Sequence, residues 1–201
     1  MNTTDPGLRA RNLRTLALLA SLFVVPLALA FLTYYGTSWR PLARTNHGEL
    51  ITPARPLPGS SLTPVLPARQ ASAATLFHDK WSLVYIGDGG CPDACRQALY
   101  VMRQTRLSLN NDMTRVARVF LVTGDCCARE FLEHDHAGLT VLEVSDPAAQ
   151  PLLSQFPSRE REHTLYVVDP LGNLMMSYDA RQNPRGLLDD LKKLLRLSHI
   201  G

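Results

Sequence analysis

The feature that most restricts the fold is an uncharged stretch near the start of the chain. No charged residue occurs between Arg14 and Arg40, and residues 16–32 are apolar except for Ser21. A run of this length is typical of a helix that crosses a membrane, and Pro26 is its only strong helix breaker. The sequence therefore predicts an anchor in residues 1–40, consisting of a short cytoplasmic tail and a transmembrane helix.

The charges before the apolar stretch indicate its orientation. Arg9, Arg11 and Arg14 precede it, and by the positive-inside rule the N-terminus is expected in the cytoplasm. We therefore expect a single-pass inner-membrane protein with a periplasmic C-terminal domain. A cleaved secretory signal, with Ala28-Leu29-Ala30 as its cleavage site, is the alternative, although the stretch exceeds the roughly 7–15 apolar residues usual in such a signal. Both interpretations deliver the rest of the chain to the same side.

Charge argues against a nucleic-acid partner. The net charge of the 201 residues is only +3, and the arginines are scattered along the chain, so the concentrated basic surface of a nucleic-acid-binding protein is missing. Four of them are predicted to be ordinary solvated surface residues: Arg103, Arg106, Arg115 and Arg118.

Behind the anchor, the composition divides the chain into a linker and one domain. Residues 41–72 contain six prolines and lack a sustained period of 2 or 3.6, which predicts a semi-extended linker. Residues 73–201 are long enough to bury a core of their own. The hydrophobic pattern predicts strands at 82–86, 116–123, 140–144, 164–168 and 174–178, and helices at 92–109, 128–134, 148–156 and from 184 onward.

The order of these elements predicts the fold class. Helices between successive strands imply parallel pairing, and the final two strands form an antiparallel hairpin. This is the α/β order of a thioredoxin-like fold, a central mixed sheet flanked by helices. Functional sites in such sheets gather at the carboxyl ends of the strands. Residues 87–95 and 124–127, which hold all four cysteines, lie at two such ends.

The first cysteine pair has the spacing C-x-x-x-C. Cys91 and Cys95 follow a predicted strand and open a helix, where free backbone N–H groups favour thiolate over thiol. If the turn is helical, the Cβ atoms lie roughly 5–6 Å apart, which is wide for a disulfide but suits a metal bridged by two thiolates. A nonhelical first turn would allow the disulfide too, so spacing alone favours metal and leaves both readings open.

Two segments of the domain carry recognisable motifs. One is Cys91-Pro92-Asp93-Ala94-Cys95, and the other is residues 163–172, from His163 through an apolar strand to Asp169-Pro170-Leu171-Gly172. Together they resemble the cysteine motif and the histidine, strand and Asp-Pro segment of the Sco/SenC proteins, which deliver copper during cytochrome c oxidase assembly. The resemblance covers about residues 76–195 and the anchor. The family's threonine ahead of the first cysteine is missing, Glu162 replaces an aspartate, and residues 122–127 differ, so the chain resembles a divergent member.

The resemblance implies a function and a ligand set. It implies that Cys91, Cys95 and His163 bind one copper ion, with His163 within about 5 Å of both sulfurs; a set of two sulfurs and one nitrogen suits copper, with zinc chemically possible. The implied role is a membrane-anchored metallochaperone that needs no catalytic residue. Its partner would be the copper-bearing subunit of cytochrome c oxidase or another copper chaperone.

A different class of function uses the same cysteines. In a membrane-tethered thiol-disulfide oxidoreductase, Cys91 attacks a disulfide between cysteines of a periplasmic partner, Cys95 resolves the mixed disulfide, and His163 tunes the thiol pKa. Whether the chain is an enzyme therefore stays open. A thioredoxin-like peroxidase is less consistent with the sequence, because a Pro-x-x-x-Thr-x-x-Cys arrangement is missing around Cys91.

The second cysteine pair and two histidines complete the candidates. Cys126 and Cys127 could be a functional thiol pair that exchanges disulfides or holds metal transiently. The alternative is a local disulfide or two inert thiols, and we favour this second interpretation. His134 and His136 are two residues apart, so on a helix they diverge, and we do not expect them to be ligands.

Overall fold

The structure is a computed structural model that describes residues 6–36, 45–59, 62–66, 76–124, 126–198 and 200. It divides into two units, Met1–Arg44 and Thr45–Gly201. In the first unit, helix α1 spans Pro6–Gly36 and continues through Pro26. By length and composition, its Ala10–Gly36 part is suited to cross a membrane. The predicted apolar stretch is thus a single helix.

The second unit is built on a seven-stranded mixed sheet in the order β1-β7-β6-β3-β4-β5-β2. The pairs β3–β4 and β4–β5 are parallel, and the other four pairs are antiparallel. This confirms the predicted thioredoxin-like mixed sheet. The strands are β1 Glu49–Pro56, β2 Thr63–Pro64, β3 Trp81–Asp88, β4 Val116–Thr123, β5 Thr140–Glu143, β6 Thr164–Val168 and β7 Asn173–Asp179.

Helices cover both faces of the central strands. Because side chains alternate along a strand, Leu83 and Tyr85 of β3 enter one hydrophobic cluster, and Val84 and Ile86 enter the other. Burial on both faces explains why these strands read as continuous apolar runs. The helices are α2 Asp93–Leu107, α3 Arg129–Asp135, α4 Gln150–Leu153 and α5 Pro184–Leu197, with 3-10 turns at Asn110–Arg115, Pro147–Ala149 and Arg161–His163.

Helix α5 closes the face that carries the cysteines. It starts where the Asn183 side chain accepts a hydrogen bond from the Arg185 N–H at 3.0 Å, with Pro184 at the first helical position. Leu187, Leu191 and Leu195 form its buried stripe, and the helix contacts α2.

The segment before the domain contributes an edge strand. Residues 49–56 fall within the predicted 41–72 linker, yet they pair antiparallel with β7. The buried Asp190 carboxylate of α5 fixes the entry to this strand, since it accepts hydrogen bonds from the N–H groups of His47 at 2.8 Å and Gly48 at 2.9 Å. Backbone pairing and this single carboxylate order a stretch that has no periodic hydrophobic pattern.

Candidate functional site

The first cysteine pair lies at the carboxyl end of β3, as the sequence predicts for a site. Cys91 N–H donates to the Asp88 carbonyl at 3.1 Å, and α2 begins two residues later at Asp93. Cys91 has a left-handed φ of 51°, so it lies outside the helix. The segment that holds Cys91 is therefore nonhelical, and the structure pairs Cys91 with Cys95 of α2 in a disulfide with a Cα–Cα distance of 5.0 Å.

The surroundings of this disulfide are apolar on one side and rich in backbone N–H groups on the other. Cys91 and Cys95 are 1% and 0% exposed and belong to the same hydrophobic cluster as Leu99. Cys95 lies in the first turn of α2, where N–H groups lack acceptors within the helix and the helix dipole is positive. These groups would stabilise negative charge on sulfur after reduction of the disulfide.

His163 ends the Arg161–His163 turn immediately before β6. This turn contacts both α2 and β3, the two elements that flank the cysteines. The His163 carbonyl accepts a hydrogen bond from the Ala180 N–H at 2.7 Å. The Nε2 atom of the His163 ring lies 3.7 Å from the Glu162 carboxylate. Across the described part of the chain, no three His, Cys, Asp or Glu side chains group as a metal site. The predicted distance of His163 from the two sulfurs stays a prediction.

Tyr85 connects the His163 turn to the cysteine cluster and was not among the predicted site residues. Its hydroxyl donates to the Glu162 carbonyl at 3.0 Å, and its ring packs in the cluster that contains both cysteines. Burial, followed by the negative charges of Glu162 and Asp88, raises the pKa of Tyr85 to about 12. A tyrosine in the middle of a buried strand is a usable sequence signal, because its hydroxyl needs a partner.

A second loop lies against the first. The Ala128 N–H donates to the Gly89 carbonyl at 2.9 Å, which joins the loop after β4 to the loop after β3. Asp88 lies between them: its Oδ1 accepts from Gly90 N–H at 2.7 Å, and its Oδ2 is 3.0 Å from where a Cβ on Gly124 would lie. Gly124 has a φ of 80°, a conformation that favours glycine.

The second cysteine pair stays separate from the first. Cys126 and Cys127 are joined to each other in a disulfide, which agrees with the favoured interpretation of a local disulfide or two inert thiols. Cys126 is exposed and Cys127 is half-buried. Of the two nearby histidines, His134 is exposed and pairs with Asp135 at 2.9 Å, whereas His136 is buried. Among the described residues, neither histidine forms a metal-binding group with a cysteine.

The prediction that four arginines are solvated surface residues is wrong for Arg118. This side chain is only 5% exposed, because it lies on β4 among apolar residues. Burial, and then the charges of Arg106 and Arg103, lower the pKa of Arg118 to about 10. The reason is its position: side chains on this face of β4 point under α2, where Arg103 and Arg106 also lie. Arg103 is exposed, and Arg106 and Arg115 are half-buried.

The donor chemistry of the predicted ligands fits copper in one redox state of the protein. In the disulfide, neither sulfur is a thiolate ligand. Two-electron reduction would give two thiolates at the positive end of α2, and the predicted ligand His163 would complete a soft two-sulfur, one-nitrogen set. The chemistry of these three residues therefore fits copper only after the disulfide is reduced.

Fold and cysteine position together define a thioredoxin-like protein with a cysteine pair at the end of a central strand. Residues 81–198 match the family described as "Transmembrane-like, thioredoxin-like, C-terminal domain". The match covers more than half of the 201 residues, so the chain belongs to this family. Among curated protein sequences, none matches the chain.

Several solved structures share the fold. Apo Sco1 from Thermus thermophilus has a TM-score of 0.59 and 20% identity, over 76% of this chain and 99% of that one. Yeast Sco1 with copper bound has a TM-score of 0.52 and 17% identity, over 60% and 80%. A candidate protein disulfide isomerase from Bacteroides thetaiotaomicron has a TM-score of 0.55 and 11% identity, over 76% and 95%. At these identities the similarity shows the fold alone.

Proposed function

We propose that this protein is a membrane-anchored copper metallochaperone that assists assembly of the copper centre of cytochrome c oxidase, as a divergent member of the Sco/SenC group. Cys91 and Cys95 as thiolates and neutral His163 hold the copper ion. One observation carries the proposal: a buried cysteine pair at the carboxyl end of β3 is flanked by α2 and by β3, and the turn that ends at His163 contacts both elements. The shared fold with copper-bound yeast Sco1 supports it.

The proposed cycle balances electrons and protons. The Cys91–Cys95 disulfide accepts two electrons and two protons from a thiol reductant, which becomes a disulfide. The two thiols lose their protons as copper binds, and the N–H groups at the start of α2 stabilise the resulting charge. Transfer of the ion to the copper-bearing oxidase subunit, or exchange with another copper chaperone, leaves the dithiol.

Copper analysis of the full-length protein in detergent, reduced without oxygen, tests the proposal. We expect stoichiometric copper in the wild type and copper affinity at least about tenfold lower in His163→Ala, since one of three ligands is lost. His134→Ala is the matched control, because His134 is exposed and is not a proposed ligand. Unchanged affinity in His163→Ala would remove this residue from the ligand set, and absence of copper binding in the wild type would reject the function.

The membrane arrangement belongs to the same proposal. Helix α1 is the anchor, with the N-terminus in the cytoplasm and the domain in the periplasm, supported by Arg11 and Arg14 ahead of the apolar part of α1. An alkaline phosphatase fused to the C-terminus should be active, and a fluorescent reporter that matures only in the cytoplasm should be dark. The opposite pattern would reverse the topology. A soluble product shortened near residue 31 would indicate a cleaved signal instead.

A thiol-disulfide oxidoreductase is the second candidate, favoured by the disulfide in the structure. In this role Cys91 attacks a disulfide of a periplasmic partner, Cys95 resolves the mixed disulfide, and two electrons pass to the partner. Oxidase activity and membrane copper content in cells separate the candidates. Loss with His163→Ala, partly restored by added copper, supports metal delivery. Normal values with His163→Ala and lost values with Cys91→Ser support thiol exchange.

A further inference from the structure

The buried guanidinium of Arg118 is incompletely satisfied by the protein. Its Nη2 donates to the Ala137 carbonyl at 2.6 Å. The Nε and Nη1 groups are buried and have no hydrogen-bond partner among the described residues. An arginine keeps its charge at any physiological pH. A buried charge with open donors is unfavourable unless another acceptor is provided.

Arg118 lines a cavity together with two other arginines. The cavity has a volume of about 190 Å³, and its other lining residues are Arg103, Arg106, Leu107, His134, Asp135 and Ala137. Arg103 and Arg106 lie one turn apart on the same face of α2. The Nε of Arg106 donates to the Val116 carbonyl at 2.7 Å, which directs its guanidinium towards β4.

One acidic side chain, Asp135, lies beside these three arginines in the cavity. No ion pair between residues that the structure describes involves Arg103, Arg106 or Arg118. The one carboxylate that lines the cavity, Asp135, pairs with His134 at 2.9 Å. The buried His136 adds no charge near neutral pH, because burial, followed by Arg118 and Arg103, lowers its pKa to about 4. Three arginines and one carboxylate therefore leave the cavity with a net positive charge.

We propose that this cavity is a binding site for a phosphate-class oxyanion. Three guanidiniums can donate to three oxygens of one phosphate group, whereas a carboxylate offers two oxygens. A cavity of about 190 Å³ admits such a group, since a water molecule takes about 30 Å³. The partial negative charge at the carboxyl end of α2, roughly half an elementary charge, is small beside three arginines.

The phosphate can come from two sources, inorganic phosphate or the headgroup of an anionic lipid. Both present the same oxygens to the arginines. In either case the bound anion would connect the last turns of α2 to β4 and to the turn after α3. Helix α2 also carries Cys95 in its first turn, so occupation of the cavity would hold the element on which the cysteine site is built.

Thermal unfolding of the full-length protein in neutral detergent tests the site. Millimolar sodium phosphate should raise the unfolding temperature above the value in sodium chloride of equal ionic strength. A second series with glycerol phosphate and a third with phosphatidic acid in the micelle distinguish the sources. A shift with inorganic phosphate assigns the free anion, and a shift with phosphatidic acid alone assigns the lipid headgroup. No shift in any series would overturn the proposal.

Two variants and a control make the test specific. Arg118→Met removes the open donors at similar length; we expect it to bind phosphate at least about tenfold more weakly, without loss of stability in chloride. Arg103→Gln, at an exposed position, should weaken binding severalfold and covers the case in which Arg118→Met does not fold. Arg185→Gln, exposed in the first turn of α5, should respond as the wild type does. Equal phosphate shifts in all of these proteins would overturn the proposal.

Discussion

The pairs Cys91–Cys95 and Cys126–Cys127 follow the neighbouring parallel strands β3 and β4. Asp88 and Thr123 are partners in register at the ends of these strands, and the first cysteine of each pair comes three residues later. The first pair opens the 15-residue helix α2, is buried, and is close to the elements that the His163 turn contacts. The second precedes the seven-residue helix α3 and has one exposed cysteine. Both pairs thus lie at strand ends, and the long helix, the burial and the neighbouring histidine turn that distinguish the first pair are the reasons for proposing the copper site there.

The largest expected difference between the pairs is in copper binding. Cys91→Ser should lower the copper affinity of the reduced protein by at least about 100-fold, because thiolates form the dominant soft-ligand bonds. Cys126→Ser should retain the wild-type affinity. Competition with a copper chelator measures both. Equal losses in the two variants would show that the second pair contributes ligands, and the contrast between the pairs would be wrong.

Stability should distinguish the pairs next. Cys91→Ala/Cys95→Ala removes a crosslink across a short loop and leaves space in the core, with an expected cost of about 2–4 kcal/mol in the free energy of unfolding. Cys126→Ala/Cys127→Ala removes a link between adjacent residues at the surface, with an expected cost below about 1 kcal/mol. Urea unfolding followed by the fluorescence of the buried Trp81 measures both. A larger cost for the second pair would reverse the comparison.

The contrast between the two pairs was only partly predictable from the sequence. Strands β4 and β6 have the predicted bounds, because most of their residues are apolar and buried on both faces of the sheet. The same apolar pattern predicts where β3 and β4 end, and so it places both cysteine pairs at strand ends. The choice between metal spacing and disulfide was not predictable, since it depends on the left-handed conformation of Cys91.

Other parts of the structure depend on long-range contacts. The predicted helix at 148–156 is a 3-10 turn followed by the short α4, with Pro147 and Pro151 at the starts of the two. Strands β1 and β2 are exposed edges whose pairing comes from backbone hydrogen bonds rather than from a hydrophobic pattern. Arg118 had a usable signal: a charged residue inside an apolar central strand is unusual and indicates either a partner or a ligand.

A smaller effect tests how closely the second loop supports the first. Gly124→Ala places a Cβ 3.0 Å from Asp88 Oδ2 at a φ of 80°, with an expected cost of about 1–2 kcal/mol. Gly138→Ala is the matched control, because its φ is 78° and the nearest atom, Arg118 Nη2, is 3.9 Å away. It should cost about 1 kcal/mol. Equal costs would show that Asp88 does not couple the two loops; unchanged copper binding in both variants is expected.

The smallest expected effect concerns Tyr85, which connects the first pair to the His163 turn. Tyr85→Phe removes the hydrogen bond to the Glu162 carbonyl and should cost about 0.5–1.5 kcal/mol near neutral pH. The variant should also change how stability depends on alkaline pH.

The pKa of Tyr85 is raised from 10.0 to about 12 in the folded protein, so above pH 10 the unfolded chain loses the hydroxyl proton while the folded protein keeps it. The free energy of unfolding therefore falls as pH rises through this window, by at most about 1.4 kcal/mol per pH unit from this group. Urea unfolding at about pH 9 and about pH 11 should show a smaller decline in the free energy of unfolding for Tyr85→Phe than for the wild type.

Burial also raises the pKa of Tyr166, so Tyr166→Phe is the control that measures the decline shared by buried tyrosines. If Tyr85→Phe declines as steeply as the wild type, the Tyr85 hydroxyl is solvated in the folded protein, and the connection between the His163 turn and the cysteine cluster is looser than the 3.0 Å hydrogen bond indicates.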